Sequence, residues 1–217
     1  MAERDLSAVA SNAEPEAGGK LFAPAAARNA GPLTELMRAV APAQGRALEI
    51  ASGTGQHIVA FAEALPGLIW QPTEINAERR AAIDARVRDA DRSNIAPVRP
   101  LDAAAPGWGA AETPCDLIVV INLLHLISTG EAATVIREAA TALAAGGTLV
   151  IYGPFMRGGE LTSTGDAEFH ARLTAQDPAI GYKDDFDTMD LLQAAGLEMA
   201  QVVEMPANNL ALVARRS

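Results

Sequence analysis

The chain has a single cysteine, Cys115, in 217 residues. One cysteine excludes an internal disulfide framework and any zinc site built on thiolates. Cys115 stands in an apolar setting just before a strand-like run, which predicts a buried inert thiol rather than a nucleophile. There are three histidines, His57, His125 and His170. They are too scattered for metal-ligand spacing, so no metal is expected. Positive charge is scarce: 17 Lys and Arg face 27 Asp and Glu, a net charge of −10 at pH 7. Such a field repels phosphate backbones, which disfavours nucleic acid and favours a small-molecule substrate. The one arginine-rich stretch holds Arg79, Arg80, Arg86, Arg88 and Arg92, interspersed with Asp84, Asp89 and Asp91. It reads as a solvated helix face. No apolar run approaches the roughly 20 residues that span a bilayer. The first twenty residues show neither the basic start nor the apolar stretch of a secretory signal. A cytoplasmic protein without membrane partners is expected.

Apolar residues make up 49% of the chain, which excludes a disordered one, and the length suits one α/β domain over 1–217. Residues 1–20 are rich in Ala, Glu, Gly and Ser and are expected to be mobile. Pro32 is well placed to start a helix over 32–41, with Leu33, Leu36, Met37 and Val40 on one face. Strands and helices then alternate: strands at 46–51, 68–72, 95–100, 116–122 and 148–152, helices at 56–65, 77–90 and 131–145. A longer segment, 153–186, interrupts the alternation and reads as an inserted substrate lid, in which Phe169 and Leu173 suggest a short helix. A helix over 187–195 follows. Two β-rich runs, 197–205 and 209–215, lie close enough to pair. This pattern predicts an α/β fold: a doubly wound, mainly parallel sheet closed by a C-terminal antiparallel hairpin.

The most informative stretch is 48–57, LEIASGTGQH. Strand-like Ala47, Leu48 and Ile50 carry one acid, Glu49, then break into Gly53-Thr54-Gly55 ahead of a helix. Glycines there let backbone approach a ligand, and the helix start presents free N–H groups. A third glycine, which in a dinucleotide fingerprint permits tight helix packing beside a pyrophosphate, is missing; Ile58 takes that slot. Glu49 suits a different ligand, since its carboxylate can attract the α-amino group of S-adenosylmethionine (SAM). The stretch resembles the first motif of class I SAM-dependent methyltransferases, acidic-x-Gly-x-Gly-x-Gly, with Ala51 at the first glycine. A βα turn that simply needs glycine is the plainer alternative.

In open α/β sheets ligands bind outside the carboxyl ends of the strands. Glu49, Glu74, Asp102 and Asn122 fall at or near four successive strand ends. Glu74 is placed to chelate a ribose diol, and Asp102 to accept from an adenine amine. Together with Ser52, Gly53 and Gly55 they make the expected cofactor site. Arg28 and Asn29, placed before the first helix, are expected to close over the cofactor, the arginine pairing with its carboxylate.

The resemblance extends further. LEIASGTGQH, WQPTEIN (70–76), INLLHL (121–126), GPF (153–155), MPANN (205–209) and PAAARN (24–29) together resemble one methyltransferase-like family. It is the family catalogued as a domain of unknown function and typified by Ser-Gly-Thr-Gly in place of the usual motif. The resemblance covers about residues 20 to 215. It implies a Rossmann-like class I methyltransferase fold and SAM binding, and it implies no particular substrate.

For chemistry, His125 is the best general-base candidate, with packing of a short helix as the alternative. His57 is expected to line the cofactor pocket or cap its helix, and His170 to lie on the surface. Phe155, Arg157 and Tyr182 of the lid are candidate substrate contacts. Asn208 and Asn209 are too, although hairpin tips favour Asn for backbone reasons. The alternatives to a methyltransferase are a non-catalytic protein that binds SAM or S-adenosylhomocysteine (SAH), and a nicotinamide-dependent oxidoreductase. The sequence specifies neither the methyl acceptor nor an oligomeric state.

Overall fold

The computed structural model describes residues 13–217. The expected mobility of residues 1–20 falls, for residues 1–12, outside the described residues. Within the described residues β1 (Glu14–Glu16) and β2 (Lys20–Phe22) form a small antiparallel hairpin. Helix α1 (Pro24–Val40) follows, then β3 (Gly45–Ile50), α2 (Gln56–Ala64), β4 (Leu68–Pro72) and α3 (Ala77–Ala90). Next come the short α4 (Trp108–Ala111), β5 (Cys115–Ile121), a 3-10 turn (Leu124–Leu126), α5 (Thr129–Ala142) and β6 (Leu143–Met156). The chain finishes with α6 (Thr164–Gln176), β7 (Lys183–Asp184), α7 (Asp185–Ala194), β8 (Leu197–Met205) and β9 (Asn209–Arg216).

The main sheet runs β4-β3-β5-β6-β9-β8, with β7 beside the end of β6. Every pairing from β4 to β6 is parallel, and β9 joins antiparallel to both β6 and β8. Alternation along the strands sorts the core into two layers. Leu48, Ile50, Ile118 and Val120 face α5 and α7, while Ala47, Val119, Tyr152 and Trp70 face α1 and α2. Central strands are therefore apolar on both sides, as a buried parallel sheet requires.

Three of the differences from the sequence reading have a plain physical cause. Helix α1 begins eight residues early, at Pro24, and carries Pro32 inside it. Ala25, Ala26 and Ala27 are strong helix formers, and Pro24 sits at the first turn, where its missing N–H costs nothing. Arg28 and Asn29 thus lie within the helix rather than before it. The strand expected at 95–100 is reduced to two parallel bridges, Trp70 to Ile95 and Thr73 to Arg99. Pro97 and Pro100 remove donors from that edge. Helix α5 stops at Ala142, short of the expected glycines, because β6 already begins at Leu143 and runs on through Met156.

Candidate functional site at the strand ends

Between β3 and α2 the backbone turns left-handed three times, at Ala51 (φ 54°), Gly53 (φ 60°) and Gly55 (φ 74°). Ala51 therefore occupies a conformation that favours glycine, the residue usual at that place in the motif. Asn122, just past β5, is left-handed as well (φ 54°). Non-glycine residues in this region cost about 1 kcal/mol or more, and such strain collects at functional sites. At Gly55 the reason for glycine is also steric. A Cβ there would stand 3.3 Å from the Ile83 Cα of α3.

The turn is held by its neighbours. Ser52 N–H donates to the Thr73 carbonyl (2.8 Å), and the Thr73 hydroxyl donates to the Glu49 carbonyl (2.8 Å). Glu74 is buried and its two oxygens accept from the Gly53 and Asn76 N–H groups, each at 3.0 Å. Each oxygen keeps a lone pair, so the carboxylate fastens the turn and still has capacity for hydroxyl donors.

Glu49 is different. Only 1% exposed, it leaves Oε2 without a hydrogen-bond partner. Burial pushes its carboxyl up to about 8, against a hydrogen bond from Ser52 that lowers it, and the Glu74 charge adds to the rise. A buried carboxyl with one oxygen unpartnered is costly and invites a cation. On the other side of the sheet a hollow of about 50 Å³ is lined by Ala51, Ile75, Leu101, Asp102, Ala103 and Leu123, among others. It is apolar apart from Asp102, whose Oδ1 accepts from the Ala104 N–H (3.1 Å). The turn, Glu49, Glu74, Asp102 and Asn122 thus stand around one end of the sheet.

Arg86 is the residue that sequence reasoning missed. Instead of a solvated face, its side chain is 15% exposed and pairs with Glu16 at 2.6 Å. It also donates to the carbonyls of Leu21 and, through Nε at 3.0 Å, Thr54. One guanidinium therefore ties the N-terminal hairpin to the glycine turn. Gln56 Oε1 adds to this by accepting from Ala23 N–H (2.7 Å) and the Thr54 hydroxyl (2.8 Å). A charge in a mixed-charge helix gave no signal of these partners. Arg28 is exposed and Asn29 half-buried on α1.

The expected base and substrate contacts have other partners in the fold. His125 is 6% exposed, in the 3-10 turn, with its ring centroid 5.7 Å from Phe169 and 6.4 Å from Tyr182. Burial, helped by the Lys183 charge, lowers its pKa to about 3. A ring that sheds its proton so readily is a poor base near neutrality, and the geometry shows it packed against Phe169 and Tyr182. Phe155 is core, 2% exposed, packed with the α5 and α7 layer. Arg157 spends its guanidinium on the Phe155 and Asn208 carbonyls. Asn209 donates to the Tyr152 hydroxyl at 2.9 Å. His170 is half-buried, not free on the surface, and its Nδ1 accepts from Tyr182 N–H (3.1 Å).

The centre of the 153–186 segment is Asp166, at the start of α6. Its carboxylate accepts from Thr162, Ser163, Tyr182 and Asn208, at 2.9, 2.6, 3.0 and 3.1 Å. Burial raises its pKa, but these four donors outweigh that and hold it below the ordinary value. The Tyr182 hydroxyl is raised, by burial first and then by Asp166. Asp166→Asn removes the charge and one of the two acceptor oxygens that these four donors share. It is expected to cost about 2–3 kcal/mol. Hydrogen exchange should quicken across 160–182 and at the 206–208 tip while β3 to β5 stay protected; unchanged exchange at the tip would remove Asp166 as the clasp. A larger hollow, about 180 Å³, lies between α5 and α7, with Leu124, Met156, Tyr182 and Lys183 in its lining. Cys115 is 2% exposed, and its thiol is pushed up to about 11 by burial and by Glu112. Among the described residues no helix is long and apolar enough to cross a membrane, and no three His, Cys, Asp or Glu are grouped to hold a metal.

This architecture recurs in solved methyltransferases. The chain is similar to an O-methyltransferase family protein from Burkholderia thailandensis, with a TM-score of 0.74 at 18% identity, covering 89% of this chain and 57% of that one. It is also similar to mitomycin 7-O-methyltransferase MmcR (TM-score 0.75, 17% identity, 90% of this chain and 55% of that one). A third is CalO1, a methyltransferase in calicheamicin biosynthesis in its SAH-bound form (TM-score 0.69, 18% identity, 88% and 54%). The chain thus spans little more than half the length of these proteins, and at such identities the likeness is one of fold. The fold is α/β, Rossmann-like, of the class I methyltransferase type, with the C-terminal hairpin closing a mostly parallel sheet. A family profile matches residues 20–216, and the chain belongs to the family described as protein of unknown function (DUF938).

Proposed function

We propose that the protein is a SAM-dependent methyltransferase acting on a small molecule. The observation that carries this reading is Glu49, a buried carboxyl at the end of β3 with one oxygen unpartnered. It lies next to a left-handed glycine turn that leads straight into α2. A pyrophosphate would bring more negative charge to this place, whereas an α-ammonium group satisfies it. In this reading Glu49 takes the ammonium, Glu74 the ribose hydroxyls, and Asp102 with its apolar hollow the adenine. Ser52, Gly53, Gly55, Asn122, Arg28 and Asn29 complete the enclosure. SAM supplies an electrophilic sulfonium methyl for in-line displacement. The chain's residues hold the reacting groups in line and keep water out.

A second reading, a non-catalytic SAM- or SAH-binding protein, is favoured by the burial and low pKa of His125, which leave no assigned base. Methyl turnover against a metabolite extract separates the two. The cofactor itself is tested by thermal unfolding with SAM, SAH, NAD or no ligand. Ligand at about 100 times its dissociation constant adds roughly 2.7 kcal/mol. The midpoint should rise by roughly 5–10 °C with SAM or SAH, and Glu74→Ala should erase the rise. No rise, or a rise with NAD alone, overturns the proposal.

A further inference from the structure

Among the described residues three buried side-chain atoms lack a hydrogen-bond partner: Glu49 Oε2, His57 Nε2 and Trp70 Nε1. Trp70 lies two register positions before the end of the sheet, paired with Ala47 and packed on Phe61 in the core. The other two belong to the first βα turn. His57 is the second residue of α2, 7% exposed, its ring stacked on Phe61 at 5.8 Å and 16°.

The ring's tautomer follows from its contacts. His57 is hydrogen-bonded to the backbone of Ala26 in α1, a contact that favours the protonated ring and hence is made to the carbonyl. Because Nε2 is the nitrogen without a partner, Nδ1 carries the hydrogen and donates it. Burial, the larger effect, lowers the pKa to about 4, so the ring stays neutral at physiological pH. Nε2 is then a bare lone pair, able only to accept.

Glu49 offers its free oxygen on the same side. Ala47 belongs to the layer under α1 and α2, while Leu48 and Ile50 belong to the opposite one. Strand alternation puts Glu49 with Ala47. Two polar atoms without partners thus lie on one face at one turn. Under the proposed function, which this inference rests on, ribose and adenine donors go to Glu74 and Asp102. The only donor group left on the cofactor is its α-ammonium, and its carboxylate cannot bond to a lone pair.

We infer that His57 Nε2 accepts a hydrogen bond from the cofactor's α-ammonium beside Glu49, so that an uncharged ring and a carboxyl together select an amine-bearing tail. A dinucleotide pyrophosphate offers the same place only acceptors, to which the Nε2 lone pair cannot bond, and its charge opposes ionisation of Glu49. His57 is on this assignment a binding and specificity residue rather than a helix cap.

The test is a binding cycle by calorimetry with SAH and its deamino analogue, in which hydrogen replaces the amine. The proteins are wild type and His57→Phe, which keeps the stack on Phe61. SAH affinity should fall about tenfold or more in the variant, while the analogue binds both proteins equally. Equal losses for both ligands, or no loss, overturn the assignment. As a second measurement, the Nε2 nitrogen resonance of the wild type should move upfield with SAH and stay put with the analogue. A resonance that responds to both alike overturns it too. If the wild type binds no SAH at all, the cofactor reading fails, and this inference falls with it.

Discussion

Glu49→Gln is expected to make the ligand-free protein more stable at pH 7 while removing its response to SAM and SAH. The carboxyl is buried, one oxygen is unpartnered, and its pKa is about 8 in the fold, raised from 4.5. The sign follows by linkage. The folded chain holds a proton that the unfolded chain releases between those two values, so stability is full below 4.5 and lost as pH rises toward 8. At pH 7 that loss is about 3 kcal/mol. A neutral amide escapes it, less about 1 kcal/mol for its own unsatisfied group. The melting midpoint of the ligand-free variant should therefore rise by roughly 4–8 °C at pH 7. At pH 5, where Glu49 is already protonated, the gain should be gone. In the wild type an arriving ammonium ionises Glu49, so ligand binding below pH 8 should release a proton, read by calorimetry in buffers of different ionisation enthalpy. A ligand-free variant less stable than wild type at pH 7 would show that the carboxyl holds the fold rather than awaiting a ligand.

Acid should unfold the protein well above the pH at which most carboxylates are neutral, because two histidines are buried without charge. His57 titrates at about 4 and His125 at about 3, both lowered first by burial. Both lie below the ordinary 6.5, so the unfolded chain takes up protons that the folded chain refuses. Their stabilisation is present above about 6.5 and lost as pH falls, several kcal/mol for each. Glu49 works in the opposite direction between about 8 and 4.5. Above 6.5 it acts alone and stability falls with rising pH. Below 6.5 the two histidines outweigh it. The ligand-free protein should be most stable near pH 6.5 and unfold cooperatively around pH 4–5, since the whole stability of such a domain is only about 5–15 kcal/mol. His125→Phe, which keeps an aromatic against Phe169 and Tyr182, should move the acid midpoint down by half a pH unit or more, followed by circular dichroism. An unmoved midpoint would clear His125 of that role. Neutral-pH turnover on a found substrate should survive the same change, which distinguishes a packing histidine from a general base.

Much of the fold was legible because it follows from local periodicity. Leu117 to Ile121 form an unbroken apolar run and become a central strand buried on both faces. Gly53 and Gly55 announced a left-handed turn and take it. The helix expected from 131 is there, begun two residues earlier by a capping box of Ser128 and Glu131. The start of α1 was not legible, since Pro32 is a plausible helix start on local grounds alone. It is the alanine run and the docking of Leu33, Leu36 and Met37 under the sheet that carry the helix through it. The strand expected at 95–100 showed the right apolar content but too few donors, and only Trp70 and Thr73 on the neighbouring edge could say how much pairing would survive.

The sequence by itself determined the alternating order, the glycine turn and the run of polar residues at successive strand ends, because each depends on side chains a few positions apart. Only the tertiary structure decided what those residues meet. Asp166 reaches Asn208 across 42 residues, and Arg86 reaches Glu16 across 70. Phe155 and His125, attractive as site residues on paper, go into packing, whereas Glu49 and His57 are buried with acceptors left open. Burial and partnership are sums over neighbours distant in the chain, and they set whether a carboxyl or an imidazole is charged, satisfied or waiting. That is why residue types mark this turn as a candidate binding place, while only the tertiary fold shows which of its atoms are left without partners.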